Sequence, residues 1–99
     1  MRKITSSQLY TLMNNNPITI IDIRDQHKFL KGHIPTSINI PYKYIITKPN
    51  EYLNKNITYF LICDYGITSE EAANKLHHLG YDVVSVIKGI TSWSYGLVI

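Results

Sequence analysis

The stretch Tyr59 to Gly80, YFLICDYGITSEEAANKLHHLG, narrows the choice of folds most sharply. Tyr59-Phe60-Leu61-Ile62-Cys63 is a short, nearly continuous apolar run, the pattern of a parallel strand covered by helices on both faces. The run ends on the only cysteine in the chain. Asp64-Tyr65-Gly66-Ile67 follows, with a glycine able to take a positive φ, and Thr68 with Glu71 three residues on has the pattern of a capping box that opens a helix. Helical spacing sets Ala72, Ala73, Leu76 and Leu79 on one face, and Glu71 pairs with Lys75 on the other. Gly80 stands where a left-handed cap belongs.

The order is therefore strand, thiol, tight loop, helix. In an open α/β sheet, ligands bind at the carboxyl ends of the strands, and a loop feeding a helix N-terminus turns backbone N–H groups inward as an anion-binding nest. A thiolate at that place is stabilised, which makes Cys63 a candidate nucleophile. The plainer alternative is a small buried hydrophobe at a strand end, since free cysteines are among the most buried residues. The loop and the helix behind it weigh towards the nucleophile.

A chain of 99 residues has room for one core, so residues 1–99 are expected to form a single domain. Hydrophobic residues at 44% and charged residues at 17% are those of a folded chain rather than a disordered one. The formal net charge is +3, but the lysines and arginines are scattered with no basic run, which argues against nucleic acid as a partner. One cysteine allows no internal disulfide and no cysteine-rich zinc site, and it fits a reducing compartment. His77 and His78 leave a helix in different directions and cannot chelate together, so no metal and no cofactor is expected. MRKITSSQLY lacks the apolar core of a signal peptide, and no run approaches the ~18 apolar residues of a membrane span. The expectation is a soluble, cytoplasmic monomer that does not engage membranes.

Taken in order, Arg2 to Thr5 reads as a short edge strand, and Ser6 or Ser7 as the cap of a helix whose Leu9, Leu12 and Met13 share a face. Asn14-Asn15-Asn16-Pro17 ends it. Ile18-Thr19-Ile20-Ile21 is a β-branched run that terminates in Asp22-Ile23-Arg24 at the carboxyl edge of the sheet. Asp25 to Lys31 reads as a short helix closed by Gly32, Ser37 to Ile40 as a short strand stopped by Pro41, and Tyr42 to Thr47 as another helix with a further turn near Glu51 to Leu53. Asp82 to Ile87 is a buried strand. Ile90 to Tyr95 is expected to form a last helix that sets Trp93 into the core. Strands alternating with helices imply a parallel sheet with right-handed crossovers.

Ile21-Asp22-Ile23-Arg24, Phe29-Leu30-Lys31-Gly32-His33-Ile34 and Ile38-Asn39-Ile40-Pro41 resemble, in that order, the D-[VI]-R, F-x-x-G-H-I and N-I-P segments of a rhodanese domain. Cys63 to Ser69 looks like its active-site loop, C-x-x-G-x-R-S, and Lys88-Gly89-Ile90-Thr91-Ser92-Trp93 is similar to its G-G-x-x-x-W segment. The resemblance implies a three-layer α/β fold of about five mostly parallel strands flanked by helices on both faces. It also implies sulfurtransferase chemistry, in which Cys63 accepts a sulfane sulfur as a persulfide. The backbone of Asp64, Tyr65, Gly66, Ile67, Thr68 and Ser69 would cradle the terminal sulfur. Asp22 and Arg24 would order the site from the neighbouring strand end, or form no more than a local ion pair. His33 is a structural residue on this reading, because a thiolate in a nest needs no base.

The partners implied are a small sulfane-sulfur donor or a persulfidated protein, and a thiol or cyanide acceptor. Three positions depart from the family pattern: Thr68 replaces the loop arginine, Lys28 stands where an acid is common, and Lys88 replaces a glycine. The latter two are expected to lie away from the thiol. With no arginine clamp, and with Asp64, Glu70 and Glu71 close to the loop, thiosulfate is expected to be a poor donor relative to a persulfide. Two other classes stay open. One is a cysteine-dependent phosphatase or arsenate reductase, which wants an arginine six residues after the cysteine where Ser69 stands; the other is a non-catalytic interaction module.

Overall fold

Neighbouring residues in the strands of this chain divide between two cores. The computed structural model describes residues 2–99. Its elements are β1 (Arg2–Ile4), α1 (Ser6–Asn15), β2 (Thr19–Asp22), α2 (Gln26–Lys31), β3 (Ile38–Asn39), α3 (Tyr42–Thr47), α4 (Pro49–Tyr52), β4 (Thr58–Ile62), α5 (Ile67–His78), β5 (Asp82–Val86) and a 3-10 turn over Gly89–Ser92. The strands form one sheet in the order β1-β5-β4-β2-β3, and every pair is parallel. Because side chains alternate across a strand, Ile20, Phe60, Ile62, Val84 and Val86 go to one face with Leu9 of α1 and Trp93. Ile21, Tyr59, Leu61, Cys63 and Val83 go to the other, against Ile45 of α3 and Ala72, Ala73 and Leu76 of α5. Burial on both faces is why β2, β4 and β5 read as unbroken apolar runs rather than alternating ones.

The helix ends show where local sequence and tertiary demand part company. Helix α1 is capped by Thr5, not by Ser6 or Ser7: the Gln8 N–H donates to the Thr5 hydroxyl at 3.2 Å, and the Thr5 N–H donates to the Gln8 side chain at 2.8 Å. Ser6 is drawn inward instead, where its hydroxyl donates to the Ser92 carbonyl at 2.9 Å and ties α1 to the end of the chain. The predicted Thr68–Glu71 capping box does not form either. Helix α5 begins at Ile67 behind a left-handed Gly66, and Glu71 turns to Lys75 at 3.2 Å and accepts from the Tyr42 hydroxyl at 3.0 Å. At its far end Gly80 donates to the His77 carbonyl and Tyr81 to that of Leu76, the paired bonds of a Schellman cap. Leu79, placed on the buried face by periodicity, lies past the last helical residue and is exposed. The final helix is shorter than expected, a 3-10 turn that stops before Trp93. Trp93 is nonetheless buried, with its indole N–H donating to Gly96 at 2.8 Å and Tyr10 and Tyr95 edge-on to it.

Candidate active site

Strands β2 and β4 lie side by side with Asp22 opposite Ile62, so the residues just beyond them, Ile23-Arg24 and Cys63, meet at one edge of the sheet. The Cys63 side chain is buried at 4% exposure, and its sulfur accepts from the Gly66 N–H at 3.1 Å and the Ser69 N–H at 3.3 Å. Those donors explain the missing side-chain cap on α5. The first N–H groups of a helix have no partner within it, and here one of them serves the sulfur. Gly66 makes the turn possible at φ 93°, and a Cβ there would come within 2.6 Å of the Lys88 amide nitrogen. The segment after β5 is held from below by Ile90 N–H to the Cys63 carbonyl at 2.9 Å and Thr91 N–H to that of Asp64 at 3.3 Å.

Ser69 is fully buried, its hydroxyl donating to the Gly66 carbonyl at 3.2 Å and sharing a hydrogen bond with Ser85 at 2.8 Å. A side chain so engaged fixes the loop and offers nothing to an oxyanion outside it. That geometry removes the ground for a phosphatase or arsenate reductase reading, since the position of the clamping arginine is built into the wall of the loop.

Asp22 and Arg24 form a buried pair. The carboxylate receives the Arg24 guanidinium at 2.8 Å and 3.1 Å and the Arg24 backbone N–H at 3.0 Å. The guanidinium also donates to the Gly32 carbonyl at 2.8 Å, and Asn39 donates to the carbonyls of Asp22 and Arg24 at 3.0 and 2.9 Å. The end of α2 and strand β3 are thereby both tied to the end of β2. His33 stacks on Phe29 with ring centroids 3.7 Å apart, and its Nδ1 lies 2.8 Å from the Phe29 carbonyl, bonds that hold the end of the same helix.

The thiol faces a cleft of about 180 Å³ lined by Ile23, Arg24, Asp25, Lys28, Tyr42, Cys63, Asp64 and Thr68. Thr68 thus stands on the cleft wall. Tyr65 and Ile67, expected among the substrate-contacting residues, are 69% and 76% exposed and line another face of the loop, so any part they take in the cleft is through backbone. Lys28 does not lie away from the thiol, whereas Lys88 lines a separate pocket and meets the loop only through backbone packing. Lys28 reaches over from α2 to Asp64 at 2.9 Å, and the backbone of Lys88, at φ 62°, packs against Gly66. The signal for Lys28 was topological rather than local: the start of a helix that follows a strand sits at the same sheet edge as the strand's end.

The acids around the loop do not act as bare charges. Asp64 pairs with Lys28, Glu70 with Lys3 at 3.3 Å, and Glu71 with Lys75. The hydrogen bond that Lys28 donates to Asp64, with the charge of that carboxylate, holds the Lys28 ammonium above the ordinary lysine range, and bonds donated by Tyr42 and Lys75 hold Glu71 below the ordinary carboxylate range. Each of the three acids expected to repel a dianion thus has a lysine beside it. Among the described residues no group of three His, Cys, Asp or Glu is placed to hold a metal ion, and no helix is long and apolar enough to cross a membrane.

A family model described as Rhodanese-like domain matches residues 5–95. The chain belongs to the rhodanese-like domain family. The domain is 29% identical to thiosulfate sulfurtransferase GlpE of Pseudoalteromonas translucida, over 93% of this chain and 88% of that one. It is 33% identical to adenylyltransferase and sulfurtransferase uba4 of Ogataea parapolymorpha, over 76% of this chain but 20% of uba4. The rhodanese-like chain thus spans a fifth of that relative's length. Among solved structures, that of SSP1007 from Staphylococcus saprophyticus superposes with a TM-score of 0.91 over 100% of both chains at 32% identity. The five-stranded parallel sheet with flanking helices is the fold this chain shares with that structure.

Proposed function

We propose that this rhodanese-like domain is a sulfurtransferase or sulfur carrier in which Cys63 holds a sulfane sulfur as a persulfide. The observation that carries the reading is the thiol itself: at the end of β4 its sulfur receives two backbone N–H groups and opens on a cleft. Hydrogen bonds to a sulfur anion favour the anionic form, and the thiolate is the nucleophile.

With thiosulfate, the Cys63 thiolate attacks the outer sulfur, the donor S–S bond breaks, and its electron pair leaves with sulfite, so that CysS⁻ + S₂O₃²⁻ gives CysSS⁻ + SO₃²⁻. With a persulfide donor, CysS⁻ + RSSH gives CysSSH + RS⁻. Discharge repeats the second step towards an acceptor: a thiolate R′S⁻ takes the outer sulfur as R′SSH, or cyanide takes it as thiocyanate, and Cys63 is regenerated. No step changes the net electron count. The chain's part is to hold the anionic sulfur on the amides of the loop from Asp64 to Ser69, and to keep Cys63 away from bulk water. The buried Asp22–Arg24 pair supports that loop's neighbour and stays out of the chemistry. The likeness to GlpE, a thiosulfate sulfurtransferase, and to uba4, an adenylyltransferase and sulfurtransferase, supports a transfer reaction.

Intact mass spectrometry after incubation with thiosulfate or with hydroxyethyl persulfide tests the reading. One added sulfur, lost on treatment with a thiol, is expected on the wild type. Cys63→Ser is expected to take up none while melting within a few degrees of the parent, because the oxygen replaces a sulfur of similar reach. Sulfur transfer retained by that variant would end the proposal.

A further inference from the structure

Two cations face the cleft above Cys63, and they differ in freedom. The Arg24 guanidinium is buried and engaged by Asp22 and the Gly32 carbonyl. Lys28 is half exposed and is held by the Asp64 carboxylate, with Asp25 also near its ammonium. An exposed pair of long side chains is weakly held, and the four-carbon stem lets the ammonium exchange one oxygen partner for another at little cost. Thr68, on the same wall, carries no charge to compete for an anion.

Resting on the reading of Cys63 as the sulfur-accepting thiol, we propose that Lys28 selects the donor: it leaves Asp64 to pair with an anionic group next to the donor's sulfane sulfur, a sulfonate or a carboxylate. Asp64 is then its resting partner, holding the ammonium over the cleft until a donor arrives. The cation absent from the loop at Thr68 is supplied from α2 instead. Lysine offers a point charge rather than a planar fork, so it attracts sulfonate and carboxylate alike and distinguishes them weakly.

The test is steady-state kinetics with three donors: thiosulfate, mercaptopropionate persulfide and hydroxyethyl persulfide. The last two differ by a carboxylate, and the first carries a sulfonate. Lys28→Gln is expected to raise KM for the two donors with an added anion by about tenfold relative to hydroxyethyl persulfide, with kcat changing little, because the lost contact acts in the ground state. Asp64→Asn, which releases the ammonium, is expected to lower KM for thiosulfate about threefold, and rising ionic strength to erase both effects. A response to one anionic donor alone would overturn the reading of Lys28 as a point charge that takes sulfonate and carboxylate alike. Equal KM changes for all three donors in Lys28→Gln, a thiosulfate KM that rises in Asp64→Asn, or turnover confined to hydroxyethyl persulfide in the wild type would each overturn the role of Lys28 while leaving Cys63 chemistry standing. Failure of Cys63 to take sulfur from any donor overturns both.

Discussion

Gly89 sits so close to Cys63 that a Cβ on the glycine would overlap the cysteine's carbonyl oxygen. The backbone there has φ 54°, and the next amide, that of Ile90, donates to the same carbonyl. The exit from β5 therefore props the thiol loop from beneath. Gly89→Ala is expected to cost about 2 kcal/mol, a Tm loss of about 10 °C in a chain of this size, and to lower sulfur uptake with it. Thermal unfolding beside mass spectrometry checks both, and an unshifted Tm with normal uptake would show that the two segments are not locked together.

Gly66 is the second lock. Its φ of 93° and the Lys88 amide 2.6 Å from where a Cβ would stand leave no room for a branched side chain. Gly66→Val is expected to abolish persulfide formation, and the clash with the Lys88 backbone adds a loss of stability. Gly66→Ala serves as the milder comparison. Wild-type loading in Gly66→Val would contradict the geometry of the cradle.

Removing Asp22 strands a cation. Arg24 is buried, and without the carboxylate its guanidinium keeps only the Gly32 carbonyl, so Asp22→Ala is expected to destabilise the fold by about 3–5 kcal/mol. The double variant Asp22→Ala/Arg24→Met removes the stranded charge and is expected to recover part of that loss. Urea unfolding of the three proteins measures it, and a single-variant loss below about 1 kcal/mol would mean that the pair is not a structural tie.

Thr68 is exposed on the cleft wall, with room for a longer side chain. Thr68→Arg is expected to lower KM for thiosulfate about tenfold through a bidentate, always-charged contact, with a smaller effect on kcat. Steady-state kinetics on the two proteins decide it. An unchanged KM would show that the missing arginine is not what limits the donor.

The apolar runs at Ile18 to Ile21, Tyr59 to Cys63 and Asp82 to Ile87 could be read as buried strands because both faces of each are covered, and the order of strand, thiol, loop and helix followed from them. The start of α5 departs from its local sequence pattern. Thr68 has the sequence of a cap, but the helix already begins at Ile67 behind the left-handed Gly66, so Thr68 lies inside the first turn, and the Ser69 N–H left over there goes to sulfur, a partner visible only once Cys63 and Ser69 are folded against each other. Leu79 fits the periodicity yet falls beyond the Schellman cap, where the chain has already left the helix. The largest change concerns charge. Asp64 and Glu70 read as repelling acids along the chain, whereas their neutralising lysines, Lys28 and Lys3, come from 36 and 67 residues away.

The 99 residues contain one thiol, and it is buried. A second cysteine within reach would resolve a loaded sulfur by closing a disulfide and releasing hydrogen sulfide, so that the load would decay on its own. This chain has no such internal discharge. The lifetime of a sulfur on Cys63 would then be set from outside, by how often an acceptor thin enough to enter the cleft arrives, and the loaded form would behave as a store rather than as a passing intermediate.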